Sequence, residues 1–250
     1  MADDLPMELA VSLLRTKHAN RLLAAVAPED LDRIEPYLRY VELPVGEYLE
    51  RAGERAEFLF FIERGIASVV ASNAKGRQIE IGLIGREGVT GVPVLLGDSI
   101  SNHSTYMQIG GAGYKVPSEV ILDAMKQSLH LRDQLARFAH TLMIQTAHTA
   151  LANGRANLLE RLSRWILMAH DRVEGNVLTI THVFLGLMLG VRRAGVTLAL
   201  HELEGRRLIK AVRGQITVLD RAGIEAMTNG FYGQPEREYA RLHSRLDTTS

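Results

Sequence analysis

Short apolar segments separated by glycine-containing turns occupy the chain from Tyr40 to Pro117, and this spacing constrains the fold more than any other feature. The segments read YVEL, EFLFFI, IASVVAS, QIEIGLI and TYMQIG, and the turns contain Gly46, Gly53, Gly65, Gly76 and Gly88. Because no helix-length stretch separates the segments, βαβ crossovers are excluded, and the pattern predicts an antiparallel sandwich or barrel. Ahead of the strands, the apolar periodicity of residues 8–26 predicts a helix, and Pro28 followed by two acidic residues predicts a second one.

Residues 118–153 follow as a predicted helix with two apolar stripes. One stripe consists of Leu131, Leu135, Phe138 and Leu142, and the other of Ala136, Ala139, Met143, Ala147 and Ala150. A helix with two apolar stripes must cover two surfaces, its own domain and something else. Because small residues allow a partner helix to approach closely, we interpret the second stripe as a dimer seam. The alternative is a helix wholly buried inside one large domain.

The last third of the chain has the pattern of a winged helix-turn-helix. A helix is predicted over 158–170, and Thr181 can cap a second helix that begins at His182 and ends before Gly190. A third begins around Arg192 and ends at Gly205. LIKAV and QITVLD then flank Arg213-Gly214, which predicts a β-hairpin with a glycine turn. Two short helices around a tight turn, followed by a hairpin, form the winged helix-turn-helix motif.

Charge is distributed unevenly along the chain, although 29 basic and 29 acidic side chains give a net charge of zero. Residues 1–120 contain 12 basic and 17 acidic side chains, a net charge of −5, so the remainder carries +5. In a helix-turn-helix, the start of the second helix lies at the base edges of the major groove. We therefore expect DNA contacts from Arg192, Arg193, Thr197, His201, Arg206 and Arg213. Arg206 is expected on a phosphate, and Arg213 on a phosphate or in the minor groove. Taken alone, each arginine is more often a solvated surface charge.

Several protein classes are excluded by composition. The apolar content of 46% argues against a disordered chain, and the absence of cysteine excludes disulfides, thiolate nucleophiles and cysteine-ligated clusters. No run approaches 18 apolar residues and the N-terminus is acidic, so we expect a soluble, cytoplasmic protein without a membrane partner. No phosphate-loop, HExxH or GxSxG motif occurs, so we expect no enzyme. His140 and His148 lie two helical turns apart, and we expect no metal site.

Two stretches carry a resemblance to a known family. Residues 49–65, LERAGERAEFLFFIERG, match the first signature of the cyclic-nucleotide-binding β-roll except at Glu50, where an apolar residue is usual. Residues 181–209 resemble the family's helix-turn-helix without a gap. Over residues 15–222 the chain resembles the Crp/Fnr superfamily of bacterial transcription regulators.

The resemblance implies an α+β architecture. Its parts are a double-stranded, jelly-roll-like β-roll effector domain (1–117), a dimerisation helix (118–153), a winged helix-turn-helix domain (154–222) and a tail without interpretation (223–250). It implies a homodimer that binds a palindromic site on double-stranded DNA, with RNA polymerase as a further partner. An effector at the β-roll would shift the long helices and so the spacing of the recognition helices.

The expected effector pocket departs from the family pattern. Cyclic-AMP-binding members hold the ribose with a Gly-Glu pair and the phosphate with an Arg-Ser pair. The equivalent positions here give a pocket of Gly88, Val89, Thr90, His103, Ser104 and Thr146. Val89 replaces the ribose-binding acid, and His103 replaces the arginine, which is a permanently charged anion clamp. Cyclic AMP is therefore not the expected effector, whose identity is unknown, and no iron–sulfur cluster is expected.

Three alternatives remain open from the sequence. One is a regulator of the same family that binds DNA constitutively because its pocket is empty. Another is a receptor for a cyclic nucleotide or other small ligand that acts on protein partners without binding DNA. The third is an enzyme, although no residue pattern in the sequence indicates a catalytic site.

Overall fold

The computed structural model describes residues 18–244. It begins with two short helices, α1 (Arg21–Ala24) and α2 (Pro28–Ile34), and a 3-10 turn at Glu35–Tyr37. Pro28 is the first residue of α2, as predicted, because proline lacks the N–H that a helix start leaves unbonded. Most of the helix predicted over 8–26 lies outside the described residues. Of the described residues 18–26, only those of α1 are helical.

An antiparallel sheet forms the body of the N-terminal domain, as the glycine-punctuated segments predict. Its strands are β1 (Arg39–Leu43), β2 (Tyr48–Glu50), β3 (Phe58–Ser72), β4 (Gln78–Ile84) and β5 (Ser104–Pro117). β5 is the central strand, pairing with β1, β2 and β3, and β4 pairs with the other side of β3. The one-turn helix α3 (Val92–Leu95) lies between β4 and β5 in the chain.

The predicted turn at Arg64-Gly65 is wrong, because EFLFFI and IASVVAS belong to one continuous strand, β3. The register of β3 against β5 shifts on both sides of Arg64, so the strand bulges there. Gly65 has φ +90°, and a Cβ built on it would lie 2.5 Å from the Ile109 carbonyl oxygen. The glycine therefore marks a β-bulge that bends a long strand.

The helix predicted over 118–153 is two helices, α4 (Ser118–Gln127) and α5 (Leu129–Arg155). Ser128 has extended backbone angles, and its hydroxyl accepts a hydrogen bond from Leu131 N and donates one to Asp30 Oδ2 at 2.7 Å. This side chain caps α5 and anchors the break to α2. The break separates α4, which packs on the sheet, from the long helix α5.

The two stripes of α5 face different surroundings. Leu131, Leu135 and Phe138 are buried in the core of the N-terminal domain, and Leu142 is half-buried against it, so the first stripe is confirmed. On the second stripe Ala136, Met143, Ala147 and Ala150 are exposed, but Ala139 is fully buried. His140 is exposed in its place, so the exposed residues 136, 140, 143, 147 and 150 follow spacings of 4, 3, 4 and 3. This is the heptad spacing of a helix–helix seam.

The C-terminal part contains a compact group of helices and a second sheet. Its elements are α6 (Leu158–His170), β6 (Val177–Thr179), α7 (His182–Met188), α8 (Arg193–Gly205), β7 (Ile209–Val212), β8 (Gln215–Val218), α9 (Arg221–Met227) and α10 (Gln234–His243). α6 has the predicted bounds. β6 extends the predicted hairpin to three strands by pairing with β8. The domain boundary expected between residues 222 and 223 falls inside α9. The last helix, α10, packs on α5 of the N-terminal part.

The two parts share a buried interface. Trp165 on α6 donates a hydrogen bond from Nε1 to Glu80 Oε1 on β4 at 2.9 Å, and Ser68 on β3 donates to the other oxygen of Glu80. Arg172 Nε and Glu87 Oε1 form an ion pair at 2.7 Å across the same interface. Ile66 and Leu83 of the sheet lie in the C-terminal core. The C-terminal half is therefore packed directly on the sheet.

No single helix among residues 18–244 has the length and apolar character needed to cross a membrane. Only α7 and α8 taken together meet both criteria, and the two helices are bent by 107° relative to each other.

Candidate functional site

The helix-turn-helix is formed by α7 and α8, and local signals define its geometry. Thr181 caps α7, its hydroxyl accepting from Phe184 N at 3.3 Å, and Gly190 follows the helix with φ +64°. A Cβ on Gly186 would lie 2.9 Å from the Val191 carbonyl oxygen. The turn therefore passes closely over α7 where no side chain intervenes. Thr181 and Gly190 delimit α7 as the sequence predicts.

Helix α8 has one buried face and one exposed face. Val196, Leu200 and Leu203 are buried against α6 and the small sheet, as predicted. Arg192 is the N-cap residue and Arg193 the first helical residue, and both side chains are exposed. Neither guanidinium forms an ion pair with any residue in the described range. The two arginines are thus free to meet a ligand at the start of the helix.

Thr197 and His201 have different environments on the same helix. The Thr197 hydroxyl donates to Arg193 O at 3.1 Å and lies 3.0 Å from His182 Nδ1, so it ties α8 to α7. His201 is exposed, with its ring nitrogen 3.5 Å from Glu204 Oε2. Between them, Leu198 is 72% exposed. Leu198 therefore does not pack in the domain, and it presents an apolar surface on the outer face of α8.

The wing places Arg213 at its tip. Arg213 and Gly214 have φ values of +46° and +79°, which is the two-residue turn that matches the twist of a hairpin. Arg213 is exposed and has no ion-pair partner among the described residues. Arg206 instead donates to Glu202 Oε1 at 2.9 Å, one helical turn earlier. Of the six expected DNA contacts, Arg192, Arg193 and Arg213 are the cations without a partner.

A cavity of about 610 Å³ lies between the sheet and α5, and two of the expected pocket residues, His103 and Thr146, line it. The wall on the α5 side includes Met143, Ala147 and Ala150, which belong to the exposed heptad. The opposite wall is mainly aliphatic, formed by Val69, Ile81, Ile84, Val92, Pro93 and Leu96. This volume lies within the range of small-molecule sites.

The other four expected pocket residues have structural positions instead. Val89 and Thr90 are fully buried, and the Thr90 hydroxyl accepts from Phe60 N at 3.1 Å. A Cβ on Gly88 would overlap the Phe138 ring. The Ser104 hydroxyl accepts from Ala52 N at 3.2 Å. None of these four lines the 610 Å³ cavity, because the turn that carries three of them packs into the domain core.

Sequence reasoning missed the acidic residues of this cavity. Glu50 is buried and accepts a hydrogen bond from Gly91 N at 2.9 Å, and Asp98 stands at the exposed rim. The sequence signal for this was Glu50 itself, which stands where the family signature usually has an apolar residue. In the described part of the chain, no lysine or arginine lines this cavity. Its charged groups are therefore carboxylates, with His103 as the one titratable base.

Comparisons with known proteins agree with this architecture. The sequence profile of the Crp-like helix-turn-helix domain matches residues 160–227. None of the curated proteins matches the chain by sequence. Among solved structures, FixK2 from Bradyrhizobium japonicum is similar at 16% identity and a TM-score of 0.67, covering 76% of this chain and 96% of its own.

Two further structures have the same fold. A Crp/Fnr-family transcriptional regulator from Thermus thermophilus, TTHA1359, has 17% identity and a TM-score of 0.59, covering 77% of this chain and 99% of its own. The regulator CLP from Xanthomonas campestris has 15% identity and a TM-score of 0.60, covering 77% of this chain and 99% of its own. Residues 160–227 are therefore a Crp-like helix-turn-helix domain, and over about three quarters of its length the chain has the fold of the Crp/Fnr transcription regulators.

Proposed function

We propose that this protein is a homodimeric, sequence-specific DNA-binding transcription regulator. The observation that carries the proposal is the pair of unpartnered arginines at the start of α8, in a helix-turn-helix followed by a wing with a third free arginine. The start of the second helix of this motif reads base edges in the major groove. Arginine recognises guanine through two parallel hydrogen bonds, and a free guanidinium need not break an ion pair to do so.

The remaining exposed residues have supporting roles in this proposal. Leu198 is placed to contact a thymine methyl group, and His201 lies one turn further along the outer face of α8. Arg213 at the wing tip and Arg206 contact phosphates, which orient the protein without selecting sequence. Thr197 holds the two helices together through His182 and so positions the reading surface. RNA polymerase is the further partner through which a DNA-bound regulator changes transcription.

Dimerisation through α5 is supported by its exposed heptad. Residues 136, 140, 143, 147 and 150 are exposed with alternating spacings of 4 and 3, and three of the five are alanines. Small side chains allow two helices to pack at short distance. A two-fold axis along this seam would place two copies of α8 on one face. The expected DNA site is then a palindrome whose half-sites are about 34 Å, or one helical turn, apart.

The effector cavity favours a ligand that is apolar and either uncharged or cationic. Its walls are aliphatic, and its charged groups are Glu50 and Asp98. A cyclic nucleotide would bring phosphate next to these carboxylates without an arginine to compensate, which is electrostatically unfavourable. The relative CLP is described as c-di-GMP responsive. For this chain we expect neither cyclic AMP nor c-di-GMP to raise the unfolding temperature.

The experiment that tests the proposal is selection of binding sites from randomised duplex DNA by the purified protein, at moderate salt and without added ligand. Enrichment of a palindrome with helical-turn spacing is the expected result. Salt-sensitive binding without enrichment would show polyanion binding only and would contradict sequence-specific reading by the ligand-free protein. No binding would favour a receptor that acts on protein partners.

A further inference from the structure

A second cavity, of about 390 Å³, lies under helix α10, and its lining shares only Leu142 with that of the cavity described above. Helix α10 lies beyond the residues that match the Crp-like domain and packs on α5. Tyr239 on α10 donates a hydrogen bond to the Glu87 carbonyl oxygen at 3.0 Å, so the helix reaches the turn between β4 and α3. The cavity is thus enclosed by the sheet domain, the long helix and the C-terminal domain together.

The floor of this cavity is apolar. Leu83 and Phe138 are buried side chains of the N-terminal domain that form part of its lining, and Leu142 continues the surface along α5. Gln145 also lines it, but both of its amide atoms are bonded to the Leu83 backbone. Thr141 lines it as well, and its hydroxyl donates to the Phe138 carbonyl oxygen at 2.7 Å. A ligand would therefore meet mainly hydrocarbon here.

One side of the cavity offers unused hydrogen-bond donors. The Arg172 side chain is only 7% exposed, with Nε bonded to Glu87 Oε1 and Nη1 bonded to Met168 O, each at 2.7 Å. Nη2 donates no hydrogen bond to any residue in the described range, and it is not completely buried. It is therefore accessible from the cavity. Arg21, exposed at the rim, likewise has no side-chain partner within residues 18–244.

The other side offers an unused acceptor. Glu236 on α10 accepts from Gly233 N through Oε2, and its second oxygen bonds to no described residue. Both oxygens of Asp171 are occupied, because they accept from Arg221 and from the Tyr232 hydroxyl. Glu87 pairs with Arg172 through Oε1, and its Oε2 bonds to no described residue. The free groups are therefore two cationic donors and one oxygen each of Glu236 and Glu87, above an apolar floor.

We propose that this cavity is a binding site for an α-amino acid with an apolar side chain. The ligand carboxylate accepts from Arg172 Nη2 and Arg21, its ammonium group donates to Glu236, and its side chain lies on Leu83, Phe138 and Leu142. A ligand with a charge of only one sign would leave either the free donors of Arg21 and Arg172 or the free oxygen of Glu236 without a hydrogen-bond partner. Because all three parts of the chain line the site, a bound amino acid stabilises the packing of the DNA-binding domain on the sheet.

Isothermal titration calorimetry of the full chain with L-leucine and L-phenylalanine at millimolar concentrations tests the proposal. At least one of them is expected to bind once per chain. Phenylacetate lacks the ammonium group and phenethylamine lacks the carboxylate, so each is expected to bind at least ~10-fold more weakly than L-phenylalanine. Absence of binding by both amino acids would overturn the proposal. Equal binding of phenylacetate and L-phenylalanine would overturn the assigned role of Glu236.

Two variants test the residues without disturbing the buried Arg172–Glu87 pair. Arg21→Ala removes an exposed side chain, and Glu236→Gln keeps an oxygen that can cap α10 through Gly233 N. Each is expected to weaken amino-acid binding by roughly tenfold. Arg237→Ala is the matched control, because Arg237 lies on the same helix outside the cavity lining. Unchanged binding in both variants, with circular dichroism showing a folded chain, would contradict the site.

Discussion

The indole of Trp165 and the carboxyl group of Glu80 are joined by a 2.9 Å hydrogen bond that connects the helix-turn-helix domain to the sheet. Ser68 donates to the second oxygen of the same carboxyl group, and Glu80 is buried. Burial raises the pKa of Glu80 to about 7, while the two hydrogen bonds and the charges of Arg164 and Arg172 act in the opposite direction. The interface between the two domains therefore contains a group that titrates near neutral pH.

Stability should depend on pH through Glu80. The ordinary pKa is near 4.5 and the folded value about 7, so the folded state binds more protons between these values. The free energy of unfolding should therefore fall as the pH rises from about 4.5 to 7 and then level off. Glu80→Gln keeps a hydrogen-bonding amide and removes this dependence. It should be more stable than the wild type at pH 8 by roughly 2–3 kcal/mol, measured by urea unfolding.

Glu42→Gln, at an exposed position of β1, is the control and should leave the pH dependence of stability unchanged. If Glu80→Gln has the same pH dependence as the wild type, Glu80 is not the group responsible.

Gly88→Ala should destabilise the N-terminal domain. A Cβ at this position overlaps the buried Phe138 ring, so the new methyl group overpacks the core. We expect a loss of roughly 1–3 kcal/mol in the free energy of unfolding, measured by thermal or urea denaturation. Gly205→Ala is the control, because its Cβ would meet no atom within 4 Å. Equal stability of the two variants would show that the turn at Gly88 is loosely packed and available to a ligand.

Ala147→Glu should dissociate the proposed dimer. It places a carboxylate in the middle of the exposed heptad of α5, where each copy would bring its charge against the other. We expect the dimer dissociation constant to rise roughly 100-fold, measured by sedimentation velocity over a concentration series. Ala226→Glu adds the same charge on α9 and should leave the dimer intact. If Ala147→Glu sediments as the wild type does, the seam lies elsewhere.

Arg193→Ala should weaken DNA binding and relax base preference. Removal of a guanine-contacting arginine is expected to cost about 1–3 kcal/mol on the preferred duplex and little on variants with that base pair replaced. Arg55→Ala removes an exposed arginine from the sheet domain and serves as the control. Competition binding with single-base variants of the selected site measures both effects. A uniform loss on all sequences would instead assign Arg193 to phosphate contact.

The C-terminal half was predictable because its boundaries are set by neighbouring residues. Thr181 bonds three residues ahead, and Arg213-Gly214 closes a two-residue turn, so each signal acts locally. The break at Ser128 depends on Asp30, 98 residues away, and no local pattern reveals that contact. The continuity of β3 through Gly65 likewise depends on pairing with β5.

The expected pocket residues illustrate a second limit of sequence reasoning. Val89 lies in a bridge with Phe61 and points into the core, although alignment to the family motif places it at a ligand. Ala139 and His140 are adjacent on α5. Apolar periodicity predicts Ala139 as a member of the second stripe, but the exposed heptad contains His140 and Ala139 is buried. Motif position identifies the part of the chain near a cavity, but packing decides which side chains line it.

Sequence-specific DNA binding by this chain can be measured by fluorescence anisotropy on two duplexes. One duplex carries the palindrome selected from random DNA, and the other carries the same bases in scrambled order. We expect the selected duplex to bind at least ~10³-fold more tightly at the same salt concentration. Equal affinity for the two duplexes, or no binding to either, would contradict it.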